Sequence, residues 1–179
     1  MCGIVGIYYF DPSRTVQAEE VKAMADRIVH RGPDDEGFFL RRNVGLGMRR
    51  LSIIDLAGGH QPIFTPDGGK VIVFNGEVYN FLDYRPELER RGHRFSTRTD
   101  TEVVLHLYDE YGLDFLEHAN GMFGLAIWDE PAGRLVIARD RIGIKPLYYY
   151  RDAEKLVFAS ELKAALALPS VRAQLEPDS

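Results

Sequence analysis

The alternation of apolar and polar residues divides the chain into short elements. Gly3 to Phe10 (GIVGIYYF) is rich in β-branched and aromatic residues and stops at Asp11-Pro12-Ser13, which predicts a strand and a turn. Val21, Met24, Ala25 and Ile28 then recur at helical spacing until Gly32 and Pro33 end the pattern. EGFFLRR and VGLGMRRLSIID read as two strands. GGHQPIFTPDGGK reads as a Gly- and Pro-rich loop leading into the strand VIVFN. A helix from about Leu82 to Arg91, closed by Gly92, contains Pro86, which predicts a kink or a start at that residue. A second helix begins with Thr99 and Glu102 at capping-box spacing and ends at Gly112, with Val103, Val104, Leu107 and Tyr108 as its buried stripe. Two hairpins follow, turning at EPAG and RDAE, and then the short helix ELKAALAL and a polar tail. Strands joined by hairpins, with helices in separate blocks, predict an α+β fold with antiparallel sheets.

Composition narrows the class. The 179 residues, 45% hydrophobic and 27% charged, suit one globular domain with a sizeable core. A net charge of −5 without a basic run argues against nucleic acid as a partner. The opening apolar run is too short for a membrane span and lacks a basic leader, so neither a membrane nor a secretory route is expected. One cysteine forms no internal disulfide, which fits a reducing cytoplasm. The five histidines have no metal-ligand spacing, and a structural zinc is not expected. Neither a GxxxxGK[ST] nor a GxGxxG loop is present, so this segment is not read as a nucleotide-binding domain.

The chemistry starts at the N-terminus. Cys2 is the single cysteine, one residue behind the initiator methionine. Removal of Met1 gives it a free α-amine, whose reference pKa of about 7.7–8.0 allows it to take a proton near neutral pH. One residue then carries a thiol nucleophile and its base. The plainer reading is a structural cysteine at the head of a strand. Asn75-Gly76-Glu77 follows an apolar strand and reads as an Asn-Gly turn. Alternatively it is an oxyanion hole, built from the Asn75 side-chain N–H and the Gly76 backbone N–H in a tight bend. Arg49 and Arg50 end a strand. Arg49 reads as a solvated surface residue, while Arg50 is either the same or a fork for a carboxylate. Asp100 is either a helix N-terminal carboxylate or a partner for a substrate ammonium. His30 and Arg31, in HRGPDDEG, have no role readable from pattern.

Together MCGIVGI, HRGPDDEG, RRLSIIDL, HQPI, FNGEVYN, RTDTEVVLHLYDEYG, GMFGLAIWD, ARDRIGIKPLYY and ASELKAAL closely resemble the glutaminase domain of glutamine-hydrolysing asparagine synthetases. That domain is a class II glutamine amidotransferase and an N-terminal-nucleophile hydrolase. The resemblance covers nearly the whole chain. It implies a four-layer αββα sandwich of two antiparallel sheets. Cys2 matches the nucleophile, and Asn75 and Gly76 the oxyanion hole. Arg50 matches the arginine on the glutamine carboxylate, with backbone groups of Leu51 and Ile53 nearby, and Glu77 and Asp100 the acids on its ammonium.

By the same resemblance, residues 2–167 form the glutaminase domain, and 168–179 begin a linker to a C-terminal synthetase domain. Glutamine is the expected substrate, with no metal or cofactor in this half-reaction. ATP and Mg are expected only in the synthetase domain, and a homodimer is left open. Two alternatives stand beside it: the same glutaminase half serving a different amide-forming or cyclising acceptor, and a non-catalytic glutamine-binding module.

Overall fold

The computed structural model describes residues 1–51 and 58–173. Among the described residues nine strands form two antiparallel sheets. The first, in the order β2-β3-β1-β9-β8, contains β1 (Gly3–Tyr9), β2 (Asp35–Arg41), β3 (Val44–Arg50), β8 (Tyr148–Arg151) and β9 (Lys155–Ala159). The second, in the order β4-β5-β6-β7, contains β4 (Ile63–Phe64), β5 (Lys70–Val78), β6 (Gly121–Asp129) and β7 (Arg134–Arg139). Helices α1 (Ala18–Asp26) and α4 (Leu162–Ala165) cover the first sheet, and α2 (Phe81–Arg90) and α3 (Asp100–Tyr111) cover the second.

Three apolar clusters mark the three contacts between four layers. Val5, Ile7, Val157 and Ala159 meet Val21, Met24, Ala25 and Ala164 outside the first sheet. Ile72, Phe74, Leu125 and Ile127 meet Leu88, Val103, Val104 and Leu107 outside the second. Between the sheets lie Ile4, Val44, Leu46 and Met48 from one side and Val71, Val73, Ala126 and Trp128 from the other. The period of two explains the division, because neighbours such as Ile4 and Val5, or Val73 and Phe74, point to opposite faces. The antiparallel α+β fold is the one the residue pattern predicts, and its αββα layering is the one the family resemblance implies.

Several local expectations are corrected. Asn75 and Gly76 are not a turn. They lie inside β5, which pairs with β6 from Lys70↔Asp129 to Val78↔Gly121. That non-local ladder overrides the turn preference of the dipeptide. Gly76 is required by closeness, since a Cβ there would lie 2.3 Å from the Met122 carbonyl oxygen and 2.6 Å from Phe123 Cα. Helix α2 runs through Pro86 and does not start there; the lost N–H would have bonded the carbonyl of Leu82, in the first turn. The cap of α3 is half a capping box. The Thr99 hydroxyl accepts from Glu102 N at 3.2 Å, but the Glu102 carboxylate reaches past Thr99 to the amides of Ser96 (2.7 Å) and Thr97 (2.6 Å). Arg49 is not solvated; its side chain, 12% exposed, pairs with Asp26 and Glu36. Among the described residues no helix is long and apolar enough to cross a membrane.

Candidate active site

At one end of the sandwich the inter-sheet alternation continues past the apolar core into polar residues. Ile4 faces the other sheet, so Cys2 shares its parity; Val44, Leu46 and Met48 do the same for Arg50, and Val71 and Val73 for Asn75 and Glu77. Gly3 pairs with Arg49, which places Cys2 and Arg50 side by side at the edge of the β1–β3 ladder. A cavity of about 230 Å³ opens there, lined by Cys2, Arg50, Leu51, Asn75, Gly76, Glu77 and Asp100 among others. The structure thus brings together seven of the eight residues singled out from the sequence; Ile53 lies outside the described residues.

Cys2 is tied down at three points. Leu51 N–H donates to its Sγ at 3.4 Å, the thiol faces the Leu51 carbonyl at 3.6 Å, and Arg31 Nε donates to its carbonyl oxygen at 2.8 Å. The backbone of Leu51 is therefore turned toward the sulfur. Directly after Cys2, β1 is fixed by Ser160, whose hydroxyl accepts from Ile4 N at 2.9 Å. Arg31 reaches Cys2 because Gly32 lets its turn press onto β3, where a Cβ would lie 2.2 Å from the carbonyl carbon of Arg49.

Arg31 and Glu161, separated by 130 positions, form a support for Cys2 that sequence pattern missed. Glu161 accepts from Arg31 at 3.0 Å and contacts His30 Nε2 at 2.8 Å. Burial alone would raise the Glu161 pKa, but hydrogen bonds from Arg31, His30 and Lys163 bring it down to about 2. A carboxyl depressed in the folded state adds stability above its unfolded value, here 4.5, and that stability is lost as pH falls through about 2. Glu161→Gln is accordingly expected to lower the melting temperature at neutral pH. The gap from wild type should close as pH falls from about 4.5 toward 2, as followed by thermal unfolding across pH.

Asn75 is 1% exposed, and its Nδ2 is buried without a hydrogen-bond partner among the described residues. A buried donor of this kind gains most from an acceptor that reaches it. Neighbouring Phe74 is held by Gln61, whose side chain accepts from Phe74 N at 2.7 Å and donates to its carbonyl at 3.3 Å. Asp100 accepts from Val78 N and Thr101 N, both at 2.9 Å, which fixes its carboxylate over the end of β5. Burial raises the Asp100 pKa, helped by the charge of Glu77 and opposed by the two amides. Two carboxyls and one guanidinium thus face a single cavity.

The wall opposite is Lys145, which is buried and whose Nζ lies 3.6 Å from Met1 Sδ. Its loop is folded by Asp140, which accepts from Ile144 N, Lys145 N and Phe123 N. Burial would push the Asp140 carboxyl up, but these amides outweigh it and lower the pKa. ARDRIGIKPLYY signals this loop in the sequence, yet only the fold shows Lys145 beside the N-terminus.

A half-buried cysteine at the head of a strand, set in an αββα sandwich beside an amide donor with no partner among the described residues, is the arrangement of the N-terminal-nucleophile fold. The chain belongs to the glutamine amidotransferase domain family, whose model matches residues 1–179. It is 40% identical over 178 residues to asparagine synthetase [glutamine-hydrolyzing] 3 of Bacillus subtilis, an alignment covering 98% of this chain and 29% of that protein. It is 45% identical over 152 residues to amidase chry2 of Gibberella zeae, covering 83% of this chain and 22% of that protein. Glutamine phosphoribosylpyrophosphate amidotransferase of B. subtilis shares the fold. The TM-score is 0.75 at 21% identity, over 93% of this chain and 43% of the other. The chain thus spans under a third of the length of these two curated relatives.

Proposed function

We propose that the chain hydrolyses glutamine to glutamate and ammonia through a Cys2 thioester, once Met1 has been removed. The observation that carries this reading is the buried Nδ2 of Asn75, which has no hydrogen-bond partner among the described residues and belongs to a residue lining the same cavity as Cys2. A donor without a partner in the resting site is set to receive charge that exists only during reaction.

Arg50 takes the glutamine α-carboxylate, and Asp100 and Glu77 take its ammonium, which leaves the side-chain carboxamide at Cys2. The Cys2 sulfur attacks the carboxamide carbon while the thiol proton passes to the freed α-amine. The oxyanion rests on Asn75 Nδ2 and the Gly76 N–H. The C–N bond breaks as the α-ammonium protonates the leaving nitrogen, giving ammonia and a γ-glutamyl thioester. Water then attacks the thioester, its proton going to the amine, and the C–S bond breaks to give glutamate and restore the thiol. Arg31 acts through Cys2 and is a positioning residue. The proposed half-reaction uses protein groups only, without metal or cofactor.

For the whole protein we propose that residues 2–167 are the glutaminase domain and that 168–179 lead into a synthetase domain, which uses ATP and Mg to amidate aspartate in the cytoplasm. Similarity to the asparagine synthetase supports this acceptor. The amidase is as similar over its aligned length, so the glutaminase half is compatible with other acceptors.

The test is release of ammonia from L-glutamine by the mature chain, with Asp100→Asn alongside. Loss of one negative charge facing the substrate ammonium is expected to raise KM at least about tenfold while changing kcat less. Glutamine binding without ammonia release would instead identify a binding module.

A further inference from the structure

The second candidate site lies on the outer helical layer, where the fold joins two histidines that sequence spacing keeps apart. His106 and Asp109 share a face of α3, and His93 follows α2. The three ligand atoms lie within 4.8 Å of one another. His93 Nδ1 is 3.1 Å from His106 Nδ1 and 3.7 Å from an Asp109 oxygen. With metal–ligand bonds of about 2.0–2.1 Å, adjacent ligand atoms sit about 2.9 Å apart at a right angle and about 3.4 Å apart in a tetrahedron. The His–His edge falls inside that range, and Asp109, whose side chain is 31% exposed, can close the remaining edges.

The hydrogen bonding around the rings also points inward. His93 Nε2 lies 2.9 Å from a Glu110 carboxylate oxygen, and its Nδ1 faces His106. A carboxylate on the far nitrogen is the usual support for a metal-bound imidazole. Asp109 uses one oxygen for Lys70 Nζ at 2.6 Å and presents the other to His93. His106 is 1% exposed, and its Nε2 is buried without a hydrogen-bond partner among the described residues. If His106 supplies the proton between the two Nδ1 atoms, that Nε2 is a bare buried acceptor. If an ion takes both Nδ1 lone pairs, Nε2 carries the hydrogen and faces Glu102, 4.0 Å away.

We propose that His93, His106 and Asp109 bind a divalent transition-metal ion of the zinc class, at a site separate from the glutamine cavity. The ligand set of two imidazoles and one carboxylate suits zinc or cobalt and is too nitrogen-rich for magnesium or calcium. Its role is structural: it pins the segment after α2 to the middle of α3, the helix whose first residue is Asp100. The short sequence spacing that normally signals a zinc site is absent because one ligand arrives from a separate element.

The test uses the chain without a histidine tag and with Cys2→Ser, which removes the competing thiol. Cobalt is expected to bind one per chain with visible d–d absorption, to be displaced by zinc, and zinc to raise the melting temperature. Glu110→Gln should weaken zinc about 10–100-fold. His93→Gln and Asp109→Asn should weaken it at least about tenfold, with unchanged far-UV circular dichroism. Absence of zinc binding, or affinity unchanged in Asp109→Asn, overturns the site. Asp109→Asn decides the matter alone if His93→Gln does not fold.

Discussion

Protein carrying Cys2→Ala is expected to release ammonia from glutamine roughly 10⁴–10⁶-fold more slowly than the mature wild-type chain, the scale of removing a nucleophile from a concerted site. The same loss is expected from wild-type sequence whose Met1 is retained behind an uncleaved N-terminal extension. There the thiol is intact but the α-amine has become an amide and can no longer take its proton. The two variants separate two demands on one residue. Cys2→Ala removes the sulfur and keeps an amine, whereas the extension keeps the sulfur and removes the base. Neither should change the fold, because the strand behind Cys2 is fixed independently through Ile4 and Ser160. Glutamine affinity in Cys2→Ala should stay near that of wild type, since Arg50 and Asp100 hold the other end of the substrate.

Asn75→Ala should lower kcat about 10²–10³-fold, the usual effect of deleting one oxyanion donor, with little change in glutamine affinity. The stability change has a definite sign. The amide nitrogen has no hydrogen-bond partner among the described residues, so its removal breaks no hydrogen bond there. The expectation is a variant as stable as wild type or slightly more so, and nearly inactive. A fall in kcat accompanied by an equal rise in KM would instead place Asn75 on the ground-state substrate. Steady-state kinetics and thermal unfolding on the same preparation check both parts.

Much of this site was legible because its residues carry the chemistry a glutamine site needs and sit in the family's motifs, and the fold adds that they follow strand parity. Cys2, Arg50, Asn75 and Glu77 each continue the inter-sheet face of an apolar strand, and such alternation is a local property of sequence. Their meeting was not legible, since it depends on pairings such as Gly3↔Arg49 and on one sheet lying over the other. Local signals failed where a long-range partner outweighed them. Asn75-Gly76 reads as a turn alone but as strand once β6 lies beside it. Arg49 and Arg50 look alike in sequence, yet parity sends one to the acids Asp26 and Glu36 and the other to the cavity. The Arg31–Glu161 support of Cys2 joins residues 130 apart, and no spacing rule could have found it.

The central claim is that Cys2 acts with its own freed amine, and one measurement reaches it directly. Intact-mass spectrometry is run before and after incubation with a glutamine-analogue electrophile, with ammonia release recorded on the same sample. The account predicts a mass lacking Met1, a single adduct located on Cys2, and loss of ammonia release in step with labelling. Full glutamine hydrolysis by protein whose mass still includes Met1, or an adduct on another residue with activity lost, would contradict it.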